Sequence, residues 1–289
     1  RSTPSNSSAA SDVYKRQHTF EPDGIDEIKK ALKKLKNVEV KYTSPKFMLV
    51  FQTTDPKKGK KYLAKDNKIQ THLGVVELEN ASPGSIVTSH LGNEFYVLKP
   101  RICDIYDKME RAGSVILKKD IGLILAYTSL GSGDIVVDAG IGSGGLAIYL
   151  ANIVKPKGKV YAYEIREDHA EIARNNIKLA GLEDYVEIKI KDVRKGIDEE
   201  ADLITLDIPD PWEVAEHAYN ALKHSGYVMA YSPYIEQARK ANLAFREVGL
   251  KEVKTIELIE REIEVASVGT RPRTRMVGHT GYLTFARKY

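Results

Sequence analysis

From Ile135 onward the chain repeats one pattern, and that pattern leaves few folds open. The apolar runs "IVVDAG", "KVYAYEI", "VEIKI", "DLITLD" and "GYVMAY" alternate with helical stretches such as "REDHAEIARNNIKLAGL" and "PYIEQARKANLAFREVGL". Parallel strands need long crossover connections, and helical crossovers cover the sheet, so this alternation predicts a parallel sheet with helices on both faces. Ligands of such open sheets bind beyond the carboxyl ends of the strands, where the strand order reverses. Two further strand-like runs, "KEVKTIELIEREIEVA" and "GHTGYLTFARKY", close the chain and read as an antiparallel edge.

The preceding text is organised differently. Residues 60 to 100 carry short runs, "GVVEL", "SIVTSH" and "EFYVL", between Gly, Pro and Asn turns, which predicts a small antiparallel β-module. Ahead of it, Asp23 suits the cap of a helix with Ile25, Ile28, Leu32 and Leu35 on one face, followed by strands "VEVKY" and "FMLVFQT". The opening "RSTPSNSSAASDVYKRQ" has no apolar period and reads as a disordered, non-native leader. The expected division is therefore a leader at 1–17, a small basic α-β-β appendage at 18–59, a β-module and linker helix at 60–110, and the main α/β domain at 111–289.

Composition narrows the function. No run approaches the roughly 20 apolar residues of a membrane helix, and the N-terminus lacks the apolar core of a signal peptide, so a soluble, cytoplasmic protein without a membrane partner is expected. A lone Cys103 excludes an intrachain disulfide framework and a cysteine-rich zinc site; it reads as a small, semi-buried apolar residue, and no metal is expected. Residues 1 to 68 hold 16 Lys and Arg against 8 Asp and Glu, whereas the rest hold 28 against 32. That asymmetry permits a polyanionic partner, although a solvated lysine-rich face accounts for it equally well.

The sharpest chemical signal is "VVDAGIGSGG", with Gly140, Gly142, Gly144 and Gly145 between a strand and a helix whose first residues include Leu146. Glycines there let the main chain approach a ligand, and the helix N-terminus adds unpaired N–H groups. Glu164 ends the next strand, where a carboxylate accepts both ribose hydroxyls of a nucleotide; Asp192 follows the third strand, placed for an adenine edge. Gly140, Gly142 and Gly145 also satisfy the dinucleotide-binding fingerprint, so a nicotinamide-dependent oxidoreductase remains open at this point.

With Asp138 ahead of the glycines and acids behind successive strands, the pattern resembles class I S-adenosylmethionine-dependent methyltransferases. "LDIPDPW", "AYSPYIEQ", "THLGVVELENASPGSIVTSHLGNEFYVLKPR", "KKDIGLIL" and "GHTGYLTFARK" resemble the tRNA (adenine-N1)-methyltransferase family of catalytic-subunit type, nearly continuously over residues 60 to 289. Residues 18–59 resemble part of the C-terminal domain of the archaeal initiation factor 2 alpha subunit. The main resemblance implies a Rossmann-like, mostly parallel seven-stranded sheet with an antiparallel edge hairpin. It implies methyl transfer from S-adenosylmethionine, leaving S-adenosylhomocysteine, to N1 of the T-loop adenosine 58 of tRNA, with adenosine 57 a second candidate, by a homotetramer. A non-catalytic RNA-binding subunit of the same fold is the competing expectation; the presence of Asp138, Gly140, Gly142 and Asp207 argues for the catalytic type.

The same resemblance makes Asp207 the catalytic acid, also facing the cofactor, and puts Tyr231 near the target base. His279 and Thr280, expected on the final hairpin strand, fall beside the site. Leu117 stands where the family carries an aromatic or histidine side chain. Pro209 and Pro211 stiffen the loop after Asp207, Trp212 anchors it, and Asp210 suits a helix N-terminus. Arg271, Arg273 and Arg275 form an expected stiff cationic loop suited to RNA phosphates.

Overall fold

The structure, a computed structural model, describes residues 47–51 and 60–289. The expected leader, the helix capped by Asp23 and the strand "VEVKY" lie outside the described residues. Six short strands come first: β1 (Phe47–Phe51), β2 (Lys61–Ala64), β3 (Lys68–Thr71), β4 (Gly74–Glu77), β5 (Ile86–Thr88) and β6 (Glu94–Leu98). Four make an antiparallel sheet in the order β2-β1-β6-β5, and β3 and β4 form a hairpin. Alternation in "EFYVL" buries Phe95 and Val97, which pack with Ala64, Val76 and Leu78 into a small core of their own. Strand β1, grouped from its sequence with residues 18–59, pairs with β2 on one side and β6 on the other. Without it, β2 and β6 would each present an unpaired edge.

Helix α1 (Ile102–Lys108) leads to α2 (Lys118–Thr128). Cys103 on α1 is exposed, not semi-buried, because the helix turns Ile105 and Tyr106 inward instead. The main sheet is then built by β7 (Ile135–Ala139), α3 (Gly145–Val154), β8 (Lys159–Glu164), α4 (Glu167–Ala180), β9 (Val186–Ile190), β10 (Ala201–Leu206), α5 (Ala215–Ala221), β11 (Leu222–Ser232), α6 (Ile235–Glu247) and β12 (Lys251–Glu257). A separate hairpin of β13 (Ile263–Ala266) and β14 (Gly269–Pro272) precedes the last strand, β15 (Tyr282–Arg287). The strand order β12-β15-β11-β10-β7-β8-β9 is the expected seven-stranded sheet, parallel from β11 to β9 and antiparallel where β15 meets β11 and β12.

Period-two alternation divides the core between the two faces. Val136 and Val160 pack with Leu150 of α3 and Ile124 of α2; Val137 and Ile204 pack with Ala218 of α5 and Phe245 of α6. Phe245 is wholly buried, so its truncation to alanine costs about 3–5 kcal/mol. The sheet reverses order between β7 and β10, which sends β8 to one side and β11 to the other, and a crevice opens above their carboxyl ends. Among the described residues no helix is long and apolar enough to cross a membrane.

The final elements differ from the expectation of two long strands. In the β12–β15 ladder Glu257 faces Tyr282, and beyond that pair neither strand has a partner. "KEVKTIELIEREIEVA" accordingly breaks after Glu257, and its second half pairs locally in the β13–β14 hairpin. For the same reason His279 and Thr280 precede β15 instead of lying on it, and Arg271 sits on β14 instead of in a loop.

Candidate active site

The glycine turn after β7 brings together groups that are far apart in sequence. Gly142 and Gly144 take left-handed backbone, φ 53° and 79°, which side-chain-bearing residues adopt at a cost. The Gly142 N–H donates to Glu164 Oε2 at 3.2 Å, while the N–H groups of Ile165 and Arg166 donate to Oε1 at 2.9 and 3.0 Å. Glu164 is therefore a nearly buried carboxylate locked by three main-chain donors. A side chain on Gly140 would stand 3.5 Å from Glu164 Oε2, so the glycine keeps the space beside that carboxylate open.

Asp138 lies beneath the turn, wholly buried, and accepts a 2.6 Å bond from Thr205 Oγ1. Burial pushes its carboxyl up to about 7; the Thr205 bond opposes this, and the charges of Asp207 and Glu164 add to it. It reaches only a recess of about 30 Å³, shared with Gly145 and Leu146. Gly144 lines no cavity wall: a Cβ there would meet Ala173 of α4 at 3.3 Å, so this glycine serves close helix packing.

The crevice itself is a cavity of about 820 Å³. Gly140, Gly142, Glu164 and Asp192 line it together with Asp207, Tyr231, Thr280 and Leu117. Asp192 is held by Arg194, whose Nε and Nη2 donate at 3.0 and 2.9 Å and keep its carboxyl below the usual range. The Asp207 main chain extends the ladder one residue past β10: its N–H donates to Ala139 O at 2.5 Å, and its carbonyl accepts from Gly140 N–H at 3.5 Å. Its side chain opens onto the cavity and is reachable from it, yet the surrounding walls displace enough water to push the carboxyl up to about 6. In the loop beyond, Gln237 Nε2 donates to Pro209 O at 2.9 Å, Pro211 is buried, and Lys240 Nζ lies 4.4 Å from the Trp212 ring centre. Asp210 is the N-cap of the turn Pro211–Val214 but makes no side-chain cap bond.

Tyr231, at the end of β11, lines the cavity together with Thr280, and burial pushes its hydroxyl up to about 12. His279 stays outside the cavity lining. Its Nδ1 contacts Glu257 at 2.7 Å, its Nε2 contacts Pro233 O at 2.7 Å, and its ring packs on Tyr282, so both nitrogens are engaged. The Glu257 bond raises its pKa. Arg271, Arg273 and Arg275 are exposed and away from the cavity wall, with Arg273 paired to Glu262. Among the described residues no group of three or more His, Cys, Asp or Glu is placed to hold a metal ion.

A family model described as "tRNA methyltransferase complex GCD14 subunit" matches residues 96–269. The chain is also 42% identical to the tRNA (adenine(57)-N(1)/adenine(58)-N(1))-methyltransferase TrmI of Methanocaldococcus jannaschii, over 83% of this chain and 95% of that protein. The chain belongs to the tRNA (adenine-N1)-methyltransferase family. The methyltransferase is also 32% identical to the tRNA (adenine(58)-N(1))-methyltransferase TrmI of Thermus thermophilus, over 81% of this chain and 94% of that one. A crystal structure from Thermotoga maritima, described as a SAM-dependent O-methyltransferase, superposes with a TM-score of 0.75 at 31% identity, covering 88% and 97% of the two chains. Membership implies use of S-adenosylmethionine.

Several residues that shape this cavity are invisible in the sequence. Asn176 of α4 accepts from Glu110 N–H at 3.0 Å and donates to the carbonyls of Glu110 and Ser143 at 2.8 Å each. Ser143 Oγ accepts from Ala112 N–H, and Tyr106 donates to Ile116 O, both at 2.7 Å. Together they pin the segment from Glu110 to Leu117, which walls the cavity, onto the glycine turn. Lys119 and Asp120 form a second buried network with Thr280. Partners this far apart in the chain leave no periodic signal.

Proposed function

We propose that this chain transfers a methyl group from S-adenosylmethionine to N1 of adenosine 58 in the tRNA T-loop, and to the neighbouring adenosine 57. The observation that carries the reading is one cavity lined both by the Glu164–Asp192 nucleotide cradle and by Asp207, Tyr231 and Thr280. Glu164 offers its remaining acceptor capacity to ribose hydroxyls, Asp192 to the adenine edge of the cofactor, and the Gly140 and Gly142 main chain the close approach. Asp138, Gly144, Gly145 and Leu146 act one step back, by holding the turn in shape. When bound, S-adenosylmethionine supplies an electrophilic methyl group on a positively charged sulfur.

Adenine N1 carries a free lone pair when neutral, so no strong base is required, and Asp207 is not one. As the N1–methyl bond forms and the sulfur–methyl bond breaks, positive charge passes to the ring. Asp207, ionised, accepts a bond from the 6-amino group and stabilises that charge, an effect worth roughly a hundredfold or more in rate. Tyr231 and Leu117 position the base, Leu117 by apolar contact alone. His279, with both nitrogens occupied, supports Pro233 on the cavity wall and does not touch RNA directly.

A T-loop adenine must leave its stack to enter the cavity, at a cost of a few kcal/mol. Phosphate contacts from Arg271 and Arg275, with Arg273 beside them, offset that cost. The domain division at 60–110 and 111–289 stands as part of this proposal, with β1 joined to the module. So does the homotetramer: Ile263, Val265 and Val268, on or beside the β13–β14 hairpin, are 56%, 78% and 98% exposed, which suits burial against another subunit. Incubation of unmodified tRNA with labelled S-adenosylmethionine, followed by nucleoside mapping, tests the reading. Label on N1 of adenosine 58 and 57 supports it; label only on ribose oxygen, or on no adenosine, refutes it.

A further inference from the structure

The ladder between β12 and β15 ends at Glu257 and Tyr282, and between them the chain makes an excursion that carries the β13–β14 hairpin and Arg271, Arg273 and Arg275. Pairing in this arm continues past β14, where Arg273 N–H donates to Glu262 O at 2.9 Å. At the root of the arm, side chains take over from the ladder. Lys119 Nζ, at the start of α2, donates to Leu258 O at 2.6 Å, where the chain leaves the sheet, and to Thr280 Oγ1 at 2.8 Å, where it comes back. Its third hydrogen goes to Asp120 Oδ1 at 2.7 Å, and Asp120 Oδ2 accepts from the Thr280 hydroxyl at 3.1 Å. On the exposed side of the root, His279 bridges Glu257 and Pro233 O, each at 2.7 Å. A carboxylate and a carbonyl both accept, so the ring serves the two at once as an imidazolium, a form that the Glu257 bond favours.

The Lys119 and Asp120 side chains are 7% and 0% exposed. Taking both charges out of water costs several kcal/mol per ion, and well-packed apolar residues commonly do as well, so stability alone does not account for such a pair. What the pair secures is geometry. Thr280 and Pro233 both line the cavity. The next residue, Gly281, packs so close to the Tyr231 ring that a Cβ there would stand 2.4 Å from Cζ. The root of the arm and this wall of the cavity are therefore one piece.

We propose that Lys119, Asp120 and His279 are positioning residues that lock the root of the β13–β14 arm to the cavity wall, so that phosphate contacts on the arm set the target adenine against Tyr231 and Asp207. The inference rests on the adenine-N1 reading and adds to it the route by which binding energy collected away from the reacting atoms reaches them. With the root locked, the arm keeps one position relative to the cavity, and its arginines contribute to the methyl-transfer step itself. With the root free, the same arginines still hold tRNA but no longer fix where its adenine falls. A misplacement of about 1 Å is enough to cost roughly a hundredfold in rate.

The test is a double-mutant cycle on the full chain with unmodified tRNA. Filter binding reads tRNA affinity, and single-turnover methylation at saturating tRNA and S-adenosylmethionine reads the rate. In the otherwise unchanged protein, Arg271→Gln together with Arg275→Gln should weaken affinity and also lower the saturated rate roughly tenfold. The lock is opened from two sides: Lys119→Met with Asp120→Leu replaces the buried pair by apolar groups, and His279→Ala acts at the exposed side with that pair intact. Each should lower the saturated rate roughly tenfold while tRNA affinity changes little, and in each the arginine substitutions should weaken affinity without a further loss of rate. Thermal midpoint and S-adenosylmethionine affinity, read for every variant, report folding separately, and His279→Ala decides the question alone where the buried-pair variant does not fold. Arginine substitutions that cut the rate by the same factor in His279→Ala as in the wild type overturn the proposal. So does a wild-type rate that they leave unchanged while affinity falls. Arginine substitutions without effect on affinity, or a wild type that methylates no tRNA adenosine, defeat the underlying reading instead.

Discussion

Asp207 titrates where it can be watched. Burial in the cavity wall pushes its carboxyl from the ordinary carboxylate range up to about 6. The proposed role needs the ionised form, so the rate of methyl transfer must rise with pH through that value. With a midpoint near 6 the carboxylate is about nine-tenths formed at pH 7 and about one-tenth formed at pH 5, so single-turnover rates should differ between those pH values by roughly tenfold. Adenine N1 protonates only in more acidic solution and does not mimic this fall. Asp207→Asn removes the charge and keeps the shape: its rate should drop roughly a hundredfold or more at pH 7.5 and lose the inflection near 6. Asp138, which titrates at about 7, is the control. Asp138→Asn should keep the Asp207 inflection, because Asp138 lies beneath the turn and outside the main cavity lining. Rapid-quench single-turnover assays at saturating tRNA and S-adenosylmethionine across pH 5–8 make the measurement. A flat wild-type profile, or an inflection that survives in Asp207→Asn, refutes the role.

Three further outcomes follow from the geometry. Glu164→Gln can keep the Ile165 and Arg166 bonds on its carbonyl oxygen but sets its NH2 against the Gly142 N–H and the cavity, so calorimetry should show S-adenosylmethionine affinity down by roughly tenfold or more, with thermal stability lowered by about the cost of one lost hydrogen bond. A methyl group on Gly281 would stand 2.4 Å from Tyr231 Cζ, so Gly281→Ala should displace the phenol and lower kcat in tRNA methylation; an unaffected kcat would mean that Tyr231 does not position the base. Replacing Arg271, Arg273 and Arg275 together by glutamine should weaken tRNA binding and reduce the slope of log affinity against log salt by about 2 to 3, with Arg273 contributing least because Glu262 already engages it. An unchanged slope in a filter-binding titration would remove the hairpin from the RNA surface.

Much of the fold was legible because periodicity is a local property. The alternation after Ile135 specified parallel strands and their helices, and the glycine turn with Glu164 and Asp192 pointed to the cavity at the strand ends that is the proposed nucleotide cradle. The acid after β10 stood out because Pro209 and Pro211 have no place in a continuing strand. Less legible were the elements whose form depends on partners: "KEVKTIELIEREIEVA" reads as one strand until Glu257 runs out of β15 to pair with.

Pattern and spacing alone determined the class of sheet, the cavity's position above it and the acids that line it, since these follow from which residues repeat and where turns interrupt them. Only the tertiary structure decided what each side chain is free to do. It withdrew His279 into bonds with Glu257 and Pro233, placed Asp138 beneath the turn instead of in the main cavity, and joined Lys119, Asp120 and Thr280 into one network. The reason is physical: a hydrogen bond or a buried charge depends on the distance between groups that up to 161 positions of chain separate, and no local repeat records that distance.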